Sequence, residues 1–475
     1  MTKFYLGIDL GSTTSKAVII NDEDEIIGRG ITNTRANYKV AAEIAKMEAL
    51  YDARFTLLTK KLEDEIGARV EFKRYINDIR AVFQYLEFRQ RADRLTDELV
   101  KTAGNLRSQH RDRVVEVVRN IMDTIIPDIR REFIDNNLGE TNQFFRDIIS
   151  GHYNEQVARV DKELFELLML TFDKSITPVE NELISFDFKK LVHESMRILE
   201  DKYKGLAGKS ATGERIDFDV ELNLLKGNYQ DVEDTLRQHI NSIADEDIRI
   251  ANMVGTGYGR ALLPFPEDCI KSEILCHAFG AHAVFPNTRT VLDIGGQDTK
   301  AIQVDSHGLV TSFHMNDRCA AGCGRYLGYI AAEFNISLNE LGPKALESER
   351  EINICSTCTV FAGAEVRELL NIGEKQSDIL AGLHKAIVMR AVSLLARSGG
   401  VRNEFTFTGG VARNQAVLKY VKEMVADSYG EEIKMNIHTD SIFMGALGGA
   451  LFARRNIDID LPEKKKKVTR VTNEV

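Results

Sequence analysis

The sequence predicts an α/β protein made of two copies of one strand–turn–strand unit, with a large and mostly helical insertion between them. Three observations support this fold class. Two distant segments share one pattern of apolar runs and polar turns, the stretch between them is poor in glycine and has helical periodicity, and alternating patterns return after it. The chain has 475 residues, which is enough for about three domain-sized units.

Composition narrows the classes of function. Hydrophobic residues make up 43% of the chain and charged residues 28%, as in ordinary globular proteins. The net charge of −10 argues against a general nucleic-acid or anionic-membrane binder, because a polyanion is not attracted to an acidic protein. No apolar run is long enough to span a membrane, and the N-terminal segment is typical of a first strand rather than a signal peptide. We therefore expect a cytoplasmic protein that binds neither nucleic acid nor membrane.

The repeated unit is the most informative feature of the sequence. Each copy has an apolar run that ends in Asp, a turn rich in small polar residues, a Lys seven residues after the Asp, and a second apolar run. The matching residues are Asp9, Gly11 and Lys16 in the first copy and Asp293, Gly295 and Lys300 in the second. Such a hairpin turn leaves amides, hydroxyls and a carboxylate free to hold phosphate and a hydrated cation. A single copy is also typical of an ordinary turn, but two facing copies would clamp one nucleotide.

The predicted domains follow from these patterns. Residues 34–214 are the helical insertion, whose charged faces suit either solvated helix surfaces or a partner surface. Apolar alternation returns near Phe218, followed by a helical pattern from Gln230 to Ile243. The remaining domains are a first subdomain over 1–33 and 215–286, a second subdomain over 287–455, and a tail over 456–475.

Several elements of the second half can also be predicted. A long amphipathic helix is expected from Ser377 to Arg397, with Ser377 as N-cap and glycines 399 and 400 as its end. The segment FTFTGGVARN indicates a strand that ends at Gly409 and Gly410, where bare backbone can approach a ligand or form a plain strand-to-helix turn. Near the C-terminus, glycines 445, 448 and 449 at helical spacing indicate very close helix packing.

These motifs together resemble those of a known superfamily. Asp9-Leu-Gly-Ser-Thr, Asp293-Ile-Gly-Gly-Gln-Asp and Thr408-Gly-Gly-Val-Ala-Arg-Asn are similar to the phosphate-1, phosphate-2 and adenosine motifs shared by sugar kinases, heat-shock chaperones and actin. The resemblance implies a duplicated ribonuclease-H-like fold with ATP in the cleft. Four further segments resemble the ATPase family of 2-hydroxyacyl-CoA dehydratase activators and benzoyl-CoA reductase ATPase subunits: TGYGR at 256–260, SEILCHAFGA at 272–281, NDRCAAGCGR at 316–325 and STCTVFAGAEV at 356–366.

Within that family, the long insertion resembles the larger ATPase subunit of benzoyl-CoA reductase rather than the compact activators. The resemblance implies an ATPase that drives electron transfer from ferredoxin to two catalytic dehydratase-like subunits, which bind and reduce the aromatic acyl-CoA. It also implies a homologous ATPase subunit that shares one [4Fe–4S] cluster with this chain. An activator of a 2-hydroxyacyl-CoA dehydratase is the alternative within the family. From other classes, a sugar or acyl kinase with a structural zinc and a chaperone-like binding module remain open.

The resemblance also assigns roles to residues. Asp9 and Asp293 would hold Mg²⁺ through water, while Gln297 and Asp298 would orient the attacking water. The phosphate cradle and the adenosine pocket would be formed by Gly11, Ser12, Thr13, Thr14, Gly295 and Gly296, and by Gly409 and Gly410, respectively. Lys16 and Lys300 are interpreted as surface strand residues. Glu273 and His277 suggest a metal pair, but a buried histidine that makes an ordinary hydrogen bond is the preferred interpretation.

The cysteines carry the remaining prediction. The family's cluster-ligating positions carry over to Cys319 and Cys358, and two subunits with two thiolates each would complete a [4Fe–4S] site. The sequence departs from the compact activators at Cys323 and Cys355. Four cysteines within one chain could instead bind one Zn²⁺ tetrahedrally. Cys269 and Cys276 are predicted to be packed thiols.

Overall fold

The fold was obtained as a computed structural model. It describes residues 3–34, 37–66, 70–135, 144–207, 237–243, 248–257, 265–316, 324–334, 336–350, 352–355 and 359–455. The chain divides into two compact units. The first unit comprises Met1–Thr34 and Arg249–Val475, and the second comprises Arg35–Ile248. Three predicted features lie outside the described residues, namely the strand near 218, the tail from 456, and the cysteines at 319, 323 and 358.

The described part of the first unit contains two sheets. The strands of the first sheet are β1 (Phe4–Leu10), β2 (Thr14–Ile20), β3 (Ile26–Asn33) and β4 (Ile250–Gly257), in the order β3-β2-β1-β4. The strands of the second sheet are β5 (Thr290–Ile294), β6 (Thr299–Val304), β7 (Val310–Asn316), β8 (Phe405–Thr408) and β9 (Met435–Asn436), in the order β7-β6-β5-β8-β9. In each sheet three successive strands are antiparallel, and the next strand in the sheet lies parallel to the third of them.

The two sheets repeat one register. Asp9 pairs with Lys16 across β1 and β2, and Asp293 pairs with Lys300 across β5 and β6. The spacing of seven residues in the sequence therefore places each lysine directly opposite its aspartate. The parallel neighbour also matches, because Thr256 lies beside Asp9 and Thr408 lies beside Asp293. The predicted duplicated α/β fold is thus confirmed.

Seven of the described helices belong to this unit. They are α8 (Glu273–Val284), α9 (Gly324–Glu333), α10 (Leu338–Leu346), α11 (Thr359–Asn371), α12 (Gln376–Ser398), α13 (Gln415–Tyr429) and α14 (Met444–Arg455). Helices α9 to α13 form a core with Leu292 and Ile294 of β5, whereas α8 and α14 form another that contains Val291 of β5 and Val18 of β2. Because neighbouring strand residues point to opposite faces, β5 contributes to both cores.

Helix α14 approaches its neighbours closely, as its glycine spacing predicts. A Cβ atom on Gly448 would lie 1.9 Å from the carbonyl oxygen of Cys276 in α8. A Cβ atom on Gly7 in β1 would lie equally close to the carbonyl oxygen of Ala446. Any side chain at these positions would separate the backbones, so glycine is required for this packing.

Helix α12 ends as predicted but begins differently. Gly399 closes the helix in the left-handed conformation with φ 119°, which glycine adopts without steric cost. Its N-cap is Lys375 rather than the expected Ser377. Asp378, in the first turn, instead accepts hydrogen bonds from Ser348 Oγ and the amides of Glu349 and Arg350. Among the described helices, α12 has the length and apolar composition of a membrane span, but 67% of that segment is buried inside the protein, as in a core helix.

The second unit is helical, as predicted for the insertion. Its described helices are α1 (Tyr38–Ile66), α2 (Val70–Gly104), α3 (Arg111–Asp135), α4 (Phe145–Val157), α5 (Lys162–Glu180), α6 (Phe188–Ala207) and α7 (residues 237–243). An aromatic cluster of Phe55, Phe83 and Phe188 lies in its core. Ile240 and Ile243 belong to the same core, so this unit extends to Ile248, beyond the boundary expected at 214.

Candidate active site

The candidate site lies where β1 and β5 end. Asp9 and Asp293 occupy equivalent positions near the ends of these strands, and each is only 1% exposed. Burying a carboxylate is costly unless charges or hydrogen bonds compensate for the lost water. The groups that face these two aspartates therefore define the chemistry of the site.

The two hairpin turns that follow these strands face each other. A Cβ atom on Gly296 would lie 2.0 Å from Oγ1 of Thr13, so only glycine fits against the first turn. Gly11, Ser12 and Thr14 lie in or beside that turn. The structure thus brings together the residues that the sequence predicts as a phosphate cradle. Gln297 lies half-buried, in the second turn.

Lys300 is buried among three carboxylates. Its Nζ lies 2.8 Å from Oδ1 of Asp298, 3.0 Å from Oε1 of Glu273 and 3.3 Å from Oδ2 of Asp293. Burial alone would lower the pKa of Lys300, but the three negative charges outweigh burial and raise it well above its ordinary value. The interpretation of this lysine as a surface residue is wrong, because cross-strand pairing with Asp293 turns it into the interior. Asp298 is held by the same ammonium group.

Asp293 is also fixed by hydrogen bonding. Thr408 Oγ1 donates to its Oδ1 at 2.9 Å. Burial opposes ionisation of Asp293, but the charges of His277 and Lys300 and the bond from Thr408 hold its pKa far below the ordinary value. These contacts favour the charged form of Asp293 and give its carboxylate a defined orientation.

Asp9 has fewer described partners than its counterpart. Lys16 Nζ donates to Oδ2 at 3.2 Å, and Lys16 is itself only 9% exposed, so it is not the surface residue we expected. Thr256, in the position equivalent to Thr408, donates instead to the carbonyl oxygen of Lys271. Oδ1 of Asp9 is buried and has no hydrogen-bond partner among the described residues.

His277 of α8 lies between the two aspartates. Its Nδ1 is 3.1 Å from Oδ1 of Asp293, but without the alignment of a hydrogen bond. Its Nε2 is 3.9 Å from Oδ2 of Asp9 and 3.8 Å from Oε1 of Glu273. His277 is buried on a helix, as the preferred interpretation expects, and its shortest contact with an acidic side chain is that with Asp293. Burial lowers its pKa, yet the two aspartates outweigh burial and raise it.

Carboxylates outnumber cationic side chains in this cluster. Within the described part of the chain, four carboxylates face two ammonium groups and one imidazole. The carboxylates are those of Asp9, Glu273, Asp293 and Asp298, and the ammonium groups are those of Lys16 and Lys300. Ligand atoms of Asp9, Glu273 and His277 also lie within 4.8 Å of one another. The carboxylate oxygens of this cluster and the unpartnered Oδ1 of Asp9 fit a divalent cation with oxygen ligands, such as Mg²⁺.

The glycine turn after β8 lies beside β5. Gly409 has φ 89°, and a Cβ atom there would lie 2.3 Å from the carbonyl oxygen of Ile294. Gly410 begins a short 3₁₀ turn that leads to Asn414. The Oδ1 atom of Asn414 accepts hydrogen bonds from the amides of residues 416 and 417 and so caps α13. The turn therefore presents bare backbone at the end of the second sheet, as its sequence predicts.

A buried histidine holds this turn. His384 Nδ1 lies 2.6 Å from the carbonyl oxygen of Leu380, which can only accept, so Nδ1 carries the proton. Nε2 of His384 therefore accepts from Nδ2 of Asn414 at 3.0 Å. Burial lowers the pKa of His384 to about 4, so the imidazole is neutral at pH 7.

This histidine predicts an acid-sensitive fold. Below pH 6.5 the unfolded chain binds a proton that folded His384 does not bind until pH falls to about 4. The folded protein therefore loses up to about 3 kcal/mol of stability through this histidine as pH falls from 6.5 to about 4. We expect His384→Gln to reduce this loss, measured as the urea midpoint from pH 7 to pH 4. An unchanged pH dependence in the variant would contradict the assignment.

The segments that contain the cysteines lead into two helices. Helix α9 begins at Gly324, directly after 319–323, and α11 begins at Thr359, directly after Cys358. The first amides of α9 donate to the phosphate-2 turn, Gly324 N to Gly295 O at 3.0 Å and Arg325 N to Gly296 O at 2.9 Å. Cys319, Cys323 and Cys358 themselves lie outside the described residues. Cys276 is buried, whereas Cys269 and Cys355 are half-buried.

Sequence reasoning missed part of this site. It did not assign roles to Lys16, Lys300 or His277, although two clues were present. The lysines recur at the same distance from the aspartate in both copies, and His277 follows Glu273 by one helical turn. Neither clue reveals that these side chains meet in one cluster, because that depends on the pairing of distant segments.

The fold and the site define a duplicated nucleotide-binding ATPase, and a family comparison identifies which kind. Residues 6–453 match the BadF/BadG/BcrA/BcrD ATPase family. The chain belongs to this family.

Among characterised proteins, the chain is 42% identical over 204 residues to the (R)-2-hydroxyglutaryl-CoA dehydratase activating ATPase of Acidaminococcus fermentans, a match that covers 43% of this chain and 75% of that protein. It is 32% identical over 176 residues to one subunit of the benzoyl-CoA reductase of Thauera aromatica, covering 37% of this chain and 62% of its relative. The crystal structure of the A. fermentans dehydratase component A superposes with a TM-score of 0.51 at 21% identity, covering 96% of this chain and 98% of that one. This structural likeness supports the actin-like fold.

Proposed function

We propose that this chain is the larger ATPase subunit of a benzoyl-CoA reductase, which uses ATP hydrolysis to drive low-potential electron transfer. One observation carries the proposal. The turn proposed to bind phosphate accepts hydrogen bonds from the first residues of α9, the helix that directly follows the segment containing Cys319. Nucleotide-dependent movement of the turn would therefore reach the cysteine segment through two backbone hydrogen bonds.

The nucleotide half of the proposal rests on the carboxylate cluster. Asp9 and Asp293 would hold Mg²⁺ through water, and the unpartnered Oδ1 of Asp9 supports this role. Asp293 is already oriented by Thr408 and Lys300, so it needs no reorganisation when the cation arrives. Gln297 and Asp298, in the adjacent turn, would orient the attacking water. The two facing turns would hold the phosphates, and Gly409 and Gly410 would approach the adenosine.

The electron-transfer half rests on the two helices after the cysteines. Arg367 of α11 forms an ion pair with Glu333 of α9 at 3.3 Å. The two residues lie at similar depths from the start of their helices, as expected if the helices run parallel with both cysteine segments at one end. Cys319 and Cys358 would then supply two thiolates to a [4Fe–4S] cluster, completed by a homologous ATPase subunit. When bound, the cluster supplies one-electron chemistry at low potential.

The helix dipole supports this location for a cluster. Helices α9 and α11 both begin directly after the proposed ligand segments in the sequence, so each segment leads into the positive dipole end of a helix. Such an end stabilises added negative charge, which favours an electron acceptor. A structural zinc site would gain no function from it.

Experiment can distinguish two candidate electron acceptors, a benzoyl-CoA reductase and a 2-hydroxyacyl-CoA dehydratase. The resemblance of the helical insertion, which forms the unit of residues 35–248, to that of the larger reductase subunit favours the reductase. The higher identity to dehydratase activators, 42% against 32%, favours the second candidate, an activator of a 2-hydroxyacyl-CoA dehydratase. In either case ferredoxin would supply electrons in the cytoplasm, and separate catalytic subunits would bind the acyl-CoA.

The acceptor is tested by reconstitution. The chain is produced anaerobically with its companion ATPase and catalytic subunits, then supplied with reduced ferredoxin, Mg-ATP and either benzoyl-CoA or a 2-hydroxyacyl-CoA. We expect ATP-dependent consumption of benzoyl-CoA, and none with Cys358→Ser. The Cys276→Ser variant is the matched control, because that thiol is buried and belongs to α8 rather than to a proposed ligand segment. Dehydration of the 2-hydroxyacyl-CoA without reduction of benzoyl-CoA would favour the second candidate.

A further inference from the structure

We propose that His277 is a positioning residue that couples the carboxylates of the two sheets and sets the affinity of the site for its divalent cation. The inference deepens the proposed function, because it rests on the use of Asp9 and Asp293 to hold the magnesium–nucleotide complex. His277 is on neither of the paired hairpins. It projects from α8, which shares a core with both sheets.

Each ring nitrogen of His277 faces the aspartate of a different sheet. Nδ1 lies 3.1 Å from Asp293 of the second sheet, and Nε2 lies 3.9 Å from Asp9 of the first. All three side chains are almost fully buried, so bulk water cannot substitute for these contacts. Among the described side chains, the imidazole therefore lies between the two carboxylates and can interact with both.

The surrounding packing preserves this position. A Cβ atom on Gly445 of α14 would lie 2.7 Å from Nε2 of His277 and 3.0 Å from Oδ2 of Asp9. Glycine at this position leaves the space in which the imidazole and the carboxylate meet. One turn further along α8, a Cβ atom on Gly280 would lie 2.1 Å from the carbonyl oxygen of Met444. The close contact between α8 and α14 thus fixes the backbone that carries His277.

The contacts of His277 with the described residues are incomplete. Nδ1 lacks hydrogen-bond alignment with Asp293, the distance from Nε2 to Asp9 is too long for a hydrogen bond, and Oδ1 of Asp9 has no partner. Leaving buried polar atoms without partners costs free energy. That cost is recovered if the cation-loaded site completes these contacts. His277 would then link cation binding at one aspartate to the orientation of the other.

Two isosteric variants separate the roles of the ring nitrogens. In His277→Asn, the amide nitrogen can take the place of Nδ1 and keep a donor toward Asp293. In His277→Gln, the amide nitrogen can take the place of Nε2 and keep a donor toward Asp9. His282→Gln is the matched control, since His282 lies on the same helix but outside the carboxylate cluster.

The main measurement is equilibrium binding of ADP as a function of Mg²⁺ concentration, followed by kcat and KM for ATP. We expect both His277 variants to raise the Mg²⁺ concentration for half-saturation and to lower kcat by roughly 10- to 100-fold, as for groups that orient metal ligands. Metal-free nucleotide affinity should stay near that of the unsubstituted protein. His277→Asn should retain more activity than His277→Gln, because the contact to Asp293 is the shorter one.

The outcomes are decisive in either direction. Mg²⁺ dependence equal to that of the His282→Gln control would overturn the proposal, as would equal loss of metal-free and metal-dependent nucleotide binding. If the His277 variants fail to fold, Gly445→Ala tests the same contact by pushing Nε2 and Asp9 apart, and it should raise the Mg²⁺ requirement in the same way. Binding is measured without turnover, so a chain that lacks ATPase activity would refute the proposed function while still testing His277.

Discussion

Asp293→Asn is expected to lower the rate of ATP hydrolysis by at least roughly 100-fold, the scale of losing one preorganised electrostatic group. The substitution keeps the shape of the side chain and an oxygen that can accept from Thr408. It removes the negative charge that faces both Lys300 and the proposed cation. The measurement is phosphate release under saturating Mg-ATP, together with the iron content of the same sample.

This variant also tests the division of labour within the chain. Any cluster should remain, because the proposed cluster ligands are cysteines at 319 and 358. Asp305→Asn is a suitable control, since Asp305 lies in the turn after β6 and accepts bonds only from neighbouring amides in the contacts described for it. Near-normal turnover by Asp293→Asn, or joint loss of turnover and iron, would contradict the assigned roles.

Lys300→Met is expected to destabilise the nucleotide-free protein by about 3–5 kcal/mol, as for the loss of one partner from a buried ion pair. Lys300 is 1% exposed and compensates three carboxylates. Methionine fills a similar volume but leaves these charges facing one another. Because the variant site is more negative, Mg²⁺ should restore part of the lost stability. The measurement is the unfolding midpoint with and without Mg²⁺.

The repeated register provides a matched control for this variant. Lys16 occupies the position equivalent to Lys300 but, among the described residues, contacts one carboxylate, Asp9, at 3.2 Å. Lys16→Met should therefore lower the midpoint by less. Equal effects of the two substitutions would show that the three-carboxylate arrangement around Lys300 does not determine its contribution.

Much of this fold could be predicted from local sequence. The repeat of Asp, turn and Lys at fixed spacing specifies a hairpin, and two copies specify a duplicated domain. The glycines at 409 and 448 also predict close backbone approach, because no other residue fits such contacts. The end of α12 at Gly399 follows from the same reasoning.

Local sequence patterns could not predict the network of buried charged side chains that joins the two copies. Lys300 becomes buried only because β5 pairs with β6 in the core, and His277 meets Asp9 and Asp293 only because α8 packs against α14 between the sheets. The C-terminal limit of the insertion was missed for a similar reason. Ile240 and Ile243 pack into the helical core, a contact that the sequence pattern around them does not specify.

The most direct test of the electron-transfer account is the iron, sulfide and zinc content of the anaerobically purified complex, with EPR spectra recorded with and without Mg-ATP. The account predicts roughly four iron and four sulfide per pair of ATPase subunits, lost in Cys358→Ser, and a spectrum that changes with nucleotide. Stoichiometric zinc without sulfide would contradict it and favour a kinase with a structural metal.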